Sequence, residues 1–366
     1  MAGLSRARLG WVASRLSGHG TIRKPTARPA AFMKGEQRVD RELALEMVRV
    51  TEAAAIASAR LMGRGDKIAA DQAAVDAMRQ ALETVAIRGQ VVIGEGEMDE
   101  APMLYIGEMV GNGAGDPVDV AVDPLEGTNL VSKGLPGSIA VMAIAPQGQL
   151  LHAPDMYMDK LVTGPAGRGA LDLDAPIGAN LEALARASGR AVGDLTVVVL
   201  DRPRHADLIA GIRACGARIK LITDGDVTPA VAACLDGSGV DMLAGSGGAP
   251  EGVLAAAAVK CLGGEMVARL LPEDEEQRRR AETMGVRPVD QVLTLDDLIR
   301  GDDVLFVATA ITDGDFLTGV RYVHGAVRTH SVVMRSLTGT VRFVEAEHRL
   351  EQKLRYGKKP QRGEDA

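Results

Sequence analysis

The sequence predicts a layered α/β protein, and three observations point to it. In the second half of the chain, strand-length apolar runs alternate with segments of helical period. In the first half, two strand-like runs break directly into acidic turns, a rigid way to present ligands. Apolar residues make up 46% of the 366 residues and aromatics only 2%, so the core must be filled by Val, Ile, Leu, Ala and Met.

The first 35 residues carry Arg6, Arg8, Arg15, Arg23, Lys24, Arg28 and Lys34, no acid, and the single tryptophan, Trp11. This composition reads as a disordered extension, or as an upstream start with Met33 the true one. A transit peptide is the competing reading. Residues 1–38 are therefore set apart from the fold. From Asp40 onward, Leu43, Met47, Val50, Ala54, Ala57 and Leu61 recur at helical spacing, and Gly63 ends the pattern. A polar turn, 63–67, precedes a second helix expected to start at Asp71 as its N-cap. Val75, Met78, Leu82 and Val85 form its apolar face. Residues 91–93 read as a strand breaking into Gly94-Glu95-Gly96-Glu97. A second strand, 118–122, breaks at Asp123-Pro124, and 138–145 reads as a third.

Beyond residue 190 the alternation begins. Residues 195–200 read as a strand, 205–214 as a helix and 218–222 as a strand. Thr228-Pro229 opens a helix to Leu235. Residues 240–243 read as a strand, Gly245-Ser246-Gly247-Gly248 as a glycine loop, and 251–262 as a helix. Such alternation predicts a parallel unit that binds ligands at the carboxyl ends of its strands. Those ends carry Asp201-Arg202-Pro203-Arg204-His205, Asp224-Gly225-Asp226, and the glycine loop with Glu251. The charge run 273–280 reads as a solvated helix or insertion, and the tail from Glu345 as charged and mobile. The expected organisation is a metal-binding α+β domain over 39–190, an α/β substrate-binding domain over 191–345 and a charged tail over 346–366.

Composition excludes several function classes. A formal net charge of −7 does not steer a protein toward DNA or anionic membranes. So few aromatics leave no platform for stacking single-stranded bases. Cys215, Cys234 and Cys261 are odd in number and form no CxxC pair, which suggests neither a disulfide framework nor a zinc site. A reducing cytoplasm is the expected compartment. No apolar run approaches a membrane span.

Asp71, Glu95, Asp123 and Glu126 fall at expected element ends, and Glu251 opens a helix. Oxygen-only ligands suit hard cations, Mg²⁺ or Mn²⁺. Asp123 and Glu126 are three residues apart in a tight turn. Gly127 permits close backbone approach there, and Thr128 adds a hydroxyl. Paired cations would suit phosphate-ester hydrolysis, lowering the pKa of a water and neutralising attacking and leaving oxygens. Each piece also has a plain reading: Asp123 to Gly127 as a turn, Gly94 to Glu97 as a loop, Asp71 as a cap. Spacing alone leaves both readings open.

The motifs together resemble a known family. Asp-Pro-Leu-Glu-Gly-Thr at 123–128, with an upstream glutamate, is similar to the signature of the lithium-sensitive, metal-dependent sugar phosphatases. GRGDK at 63–67, VIGEGEMDEAPMLYIGE at 92–108, VDPLEGT at 122–128, APDMYM at 153–158, RPRH at 202–205, DGD at 224–226 and GGAPEG at 247–252 resemble class II fructose-1,6-bisphosphatase over roughly 40–344. The resemblance implies an αβαβα sandwich of the sugar-phosphatase fold. It also implies hydrolysis of the 1-phosphate of fructose 1,6-bisphosphate, a gluconeogenic step. Some relatives also take sedoheptulose 1,7-bisphosphate, in the Calvin cycle.

By the same resemblance, Mn²⁺ or Mg²⁺ would be held by Asp71, Glu95, Asp123, Glu126 and Glu251. Thr128 would be catalytic, supported by Lys67 and Asp99. Substrate would meet Glu126, Gly127, Thr128, Tyr157, Arg202, Pro203, Arg204, Asp224, Gly225, Asp226 and Gly248. Arg202 and Arg204 would hold the distal phosphate, since a guanidinium fork matches phosphate oxygens. Asp224 and Asp226 would take sugar hydroxyls. His205 reads as a helix-start residue rather than a ligand. The expected partners are a sugar bisphosphate and further copies of the chain, as a dimer or tetramer, with no nucleic acid and no membrane. Two other readings are an inositol-monophosphatase-like enzyme, which would need no second phosphate pocket, and a non-catalytic sugar-phosphate sensor, which would have lost a ligand or the threonine.

Overall fold

The computed structural model describes residues 38–96 and 103–349, which belong to one compact unit. The basic extension and Asp99 lie outside the described residues. The chain opens with helices α1 (Leu43–Ala59) and α2 (Lys67–Leu82). Strands β1 (Arg88–Ile93), β2 (Met109–Val110) and β3 (Pro117–Glu126) follow, then α3 (Thr128–Lys133), β4 (Ile139–Pro146) and β5 (Tyr157–Thr163). Next come α4 (Ile177–Ser188), β6 (Thr196–Leu200), α5 (Ala206–Ala214), β7 (Arg218–Ile222) and α6 (Val227–Ala233). They lead to β8 (Met242–Gly248), α7 (Ala249–Leu262), β9 (Glu265–Leu271) and α8 (Glu275–Thr283). The chain finishes with β10 (Leu293–Thr294), α9 (Leu295–Leu298), β11 (Leu305–Ala310), β12 (Arg321–Val323), β13 (Ala326–Arg335) and β14 (Thr340–His348).

These strands form two sheets. One runs β12-β13-β11-β4-β3-β1-β2, with β14 paired to β13, and the other runs β10-β9-β5-β8-β6-β7. Period-two alternation sorts their side chains into separate cores. In β4, Ala140, Met142 and Ile144 join a core with α1 and α2. Ile139, Val141, Ala143 and Ala145 face the other way, into a core shared with α6, α7 and one face of the second sheet. Leu161, Val197, Val199 and Met242 close the far face of that sheet against α4 and α5. The result is the expected αβαβα stack.

The middle layer explains the scarcity of aromatics. Helix α7 is buried nearly all round, and its sequence runs Val-Leu-Ala-Ala-Ala-Ala-Val. A helix apolar on every side belongs between two packed layers, and small alanines let both sheets come close. Strand β4 is buried at every position, so it reads as a continuous apolar run rather than an alternating one.

Several expectations change. The second helix starts one turn earlier: Asp66, in an extended conformation, accepts the N–H of Ala69 at 2.9 Å, so Asp66 is the cap and Asp71 lies inside α2. The expected glycine loop is the end of strand β8, where Gly245 to Gly248 pair with Lys160 to Tyr157. The second sheet is mixed rather than parallel. β6 pairs β7 and β8 in parallel, but β5 pairs β8 and β9 antiparallel. Glu345 to His348 belong to β14 rather than to a loose tail. Both sheets also draw strands from both sides of residue 190: β5 lies in the second sheet, and β11 to β14 return to the first. The charge run forms α8, in which only Ala281 is buried, as a solvated helix would.

Candidate active site

Parallel strands deliver the site residues to one place. β1 and β3 run parallel, so the turn after β1 and the end of β3 lie together. They carry Glu95, and Asp123 with Glu126. The pairing of β3 with β4 breaks register between Asp123 and Glu126. Such irregularity re-aims side chains, and it turns both acids toward the cleft. Gly127 then adopts a left-handed φ of 84°, which L side chains rarely adopt, and Thr128 opens α3. From the second sheet, the ends of β6, β7 and β8 bring Arg202 to Arg204, Asp224 to Asp226, and Gly248. Glu251 stands in the first turn of α7.

These segments enclose a cleft of about 380 Å³ lined by Asp71, Glu95, Asp123, Glu126, Gly127, Thr128, Asn129, Asp155, Asp224 and Glu251. Carboxylate oxygens of Asp123, Glu126 and Glu251 lie within 4.8 Å of one another. Among the described residues, no Lys or Arg forms an ion pair with Asp71, Glu95 or any of those three. The electrostatics follow. Burial, then the Asp71 and Glu251 charges, pushes Glu95 up to about 7. Burial first, and then neighbouring acids, holds Asp123 and Glu126 well above the ordinary carboxylate range, and the two share a hydrogen bond. Burial and the Asp226 charge raise Glu251. Burial alone raises Asp71. Glu126 is buried and the other four acids are half-buried; clustered, desolvated carboxylates of this kind fit a hard, oxygen-loving cation, the donor set expected for Mg²⁺ or Mn²⁺.

Glycine is required where the backbone meets these acids. A Cβ on Gly248 would lie 1.9 Å from Glu251 Oε2, and one on Gly247 would lie 2.1 Å from Asp226 Oδ2. Gly247 and Gly248 of β8 thus serve close packing.

The basic residues lie beside this lining rather than in it, and they are braced. Arg204 donates from Nε to Ser246 Oγ (2.9 Å) and from Nη2 to Ser246 O (2.8 Å). Its guanidinium lies 4.7 Å from the centre of the Tyr157 ring, within cation–π range. His205 is buried beneath it. Its Nε2 accepts the Ser246 N–H at 2.8 Å, so Nδ1 carries the proton donated to Leu200 O at 2.8 Å. His205 is a brace and not a ligand. Arg202 is looser, with Nη2 3.9 Å from Asp224 Oδ1. Asp224 is held by Asn129, whose N–H and Nδ2 both donate to Oδ2, at 3.3 and 3.0 Å.

Not every expected residue lines the cleft: Tyr157, Arg202, Pro203, Arg204, Gly225 and Gly248 stand outside its lining. Lys67 is exposed at the start of α2 and does not line it. Asp226 is buried and turns its carboxylate to Lys160, 2.6 Å away. Conversely, Asp155 and Asn129 line the cleft unforeseen. Asp155 sits in the quoted APDMYM stretch, an acid just before a strand, which was the available signal. For Asn129 the sequence carried none.

A layered α/β fold with an acidic cleft between the ends of its two sheets defines the class, a sugar phosphatase. Residues 41–348 match the family described as bacterial fructose-1,6-bisphosphatase, glpX-encoded. The chain is 49% identical over 334 residues to a D-fructose 1,6-bisphosphatase class 2/sedoheptulose 1,7-bisphosphatase of Synechococcus sp. (strain JA-3-3Ab), covering 85% of this chain and 96% of the relative. It is 46% identical over 326 residues to fructose-1,6-bisphosphatase 1 class 2 of Escherichia coli (strain K12), covering 86% and 97%. The chain belongs to the class II fructose-1,6-bisphosphatase family, a family of phosphoric monoester hydrolases. Among the described residues, no helix is long and apolar enough to cross a membrane.

Proposed function

We propose that this chain removes the 1-phosphate of fructose 1,6-bisphosphate in the cleft between the two sheets, with divalent cations held by Asp71, Glu95, Asp123, Glu126 and Glu251. The observation that carries this reading is the cluster of Asp123, Glu126 and Glu251, raised by desolvation and by the charges of neighbouring acids and, among the described residues, in no ion pair with Lys or Arg. Bound cations supply a water of lowered pKa and neutralise the phosphate's charge. The chain's own residues do the rest. Thr128, at the N-terminus of α3, orients the attacking water, and its hydroxyl relays the proton toward Glu95 or Asp99. As the water oxygen joins phosphorus, the bond from phosphorus to the sugar oxygen breaks, and that oxygen takes up a proton from solvent as it leaves. No phosphoenzyme is needed.

Arg204 and Arg202 take the distal phosphate. Ser246 and Tyr157 fix the Arg204 fork before substrate arrives, so little side-chain entropy remains to be lost on binding. Asp224, oriented by Asn129, accepts sugar hydroxyls, with the Gly225–Asp226 backbone beside it.

Phosphate release from fructose 1,6-bisphosphate, measured with Mn²⁺, with Mg²⁺ and after chelation, tests the proposal. Turnover that survives complete chelation would refute it. A second substrate, sedoheptulose 1,7-bisphosphate, is favoured by the name of the Synechococcus relative, and the same assay on both sugars decides. A homo-oligomer is expected on general grounds and is checked by sedimentation.

A further inference from the structure

Lys160 is fully buried in the middle of β5. Lysines are almost never fully buried unless paired. Strand alternation turns Met158, Lys160 and Val162 to one face, and Met158 and Val162 belong to the core shared with α6 and α7. Glycines make room for the side chain. A Cβ on Gly252 would meet Met158 Sδ at 2.5 Å and Lys160 Cδ at 3.5 Å, and one on Gly247 would meet Lys160 Nζ at 3.0 Å.

The ammonium group has two partners, and each is next in the chain or in space to a residue that lines the cleft. Nζ lies 2.6 Å from Asp226 Oδ2 and donates to Gly248 O at 2.9 Å. Gly248 caps α7, which carries Glu251 in its first turn. Asp226 precedes Val227, whose N–H donates to Glu126 Oε1 at 3.1 Å. The Asp226 charge bears on Glu126 and Glu251, and Lys160 opposes it at Glu251. Neither Lys160 nor Asp226 lines the cleft.

We infer that Lys160 is a positioning residue that neutralises Asp226, keeps it out of the cation-ligand set, and so fixes the net charge the cluster presents to its cations. The inference rests on the reading of the cleft as a divalent-cation site. An unpaired Asp226 would add a buried negative charge beside Glu126 and Glu251. An unpaired Lys160 would add a positive one. The two losses must therefore shift cation affinity in opposite directions. A merely structural role would loosen β8 and α7 in either variant and weaken binding in both.

The test is Mn²⁺ titration calorimetry on the chelator-stripped full chain, above neutral pH. Lys160→Met should tighten Mn²⁺ binding at least about tenfold, within the range of outer-shell effects on metal sites. Asp226→Asn should weaken it by a similar factor. The double variant, which carries neither charge, should return to within about twofold of the wild type, the signature of a coupled pair. If Lys160→Met fails to fold, the double variant must still bind about tenfold tighter than Asp226→Asn. Shifts in the same direction, or equal affinity in all four chains, would overturn the inference alone. Failure of the wild type to bind Mn²⁺ would overturn the cation reading, and this inference with it.

Discussion

The two sheets furnish one cleft in opposite ways. The first sheet, with α2, supplies acids that are half-buried or buried and, among the described residues, in no ion pair with Lys or Arg, so desolvation and mutual repulsion raise them. The second supplies Arg204, which is exposed at the rim yet fixed by Ser246 and stacked on Tyr157. One rim stores electrostatic stress that a cation would relieve. The other is relaxed and needs only a ligand. The contrast suggests that chemistry belongs to the first rim and recognition to the second.

The largest expected effect breaks the stressed rim. Asp123→Ala should leave a folded protein and reduce phosphate release by about a thousandfold or more, since metal stabilisation of the transition state is worth several kcal/mol. Substantial turnover at saturating Mn²⁺ would count against the cation model. Thr128→Val should follow, at about a hundredfold in kcat, in the range of proton-transfer groups. Thr128→Ser should recover most of it if the hydroxyl is what matters.

Arg204→Met tests the recognition rim. Losing a charge-assisted fork costs about 1.5–3 kcal/mol, which should appear mainly in KM for the bisphosphate. On a sugar monophosphate lacking the distal phosphate the same substitution should change little. An equal loss on both substrates would take Arg204 out of the distal subsite.

The smallest effect concerns stability and pH. Glu95 has its folded-state value raised from 4.5 to about 7. A raised acid favours folding while it is protonated. Its contribution is full below 4.5 and is lost as pH rises through about 7. The melting temperature of the metal-free protein should therefore fall across that window. Saturating Mn²⁺ should remove the fall. A metal-free profile that rises over this range would contradict the assignment of Glu95 as a desolvated acid.

The same contrast separates what the sequence made legible from what it did not. The run from Asp123 to Thr128 was legible because its logic is local: a strand end, a turn and a glycine lie within six residues. The α/β layering was legible from the alternation of strands and helices. Asp71 lines the cleft, but it lies inside α2 rather than capping it. Asp66 and Asp71 are both good caps, and the start of α2 is tied down by the bond from Gly65 N–H to Ser132 O, a contact far along the chain. Gly245 to Gly248 suggested a loop by composition. They are strand because they pair with β5, and the room for side chains at Gly245, Gly247 and Gly248 is taken by His205, Asp226 and Glu251. Lys160 gave no signal at all, since its partners lie on β8 and at the start of α6. Residues whose reasons are long-range are the ones that local pattern cannot find.

The central claim is that the carboxylates of the first rim, completed by Glu251, hold the cations. Anomalous diffraction from crystals grown with Mn²⁺ tests it most directly. The account predicts anomalous peaks in contact with the carboxylate oxygens of Asp123, Glu126 and Glu251, and their loss in Asp123→Ala. An active, Mn²⁺-dependent crystal form with its peaks elsewhere would contradict it.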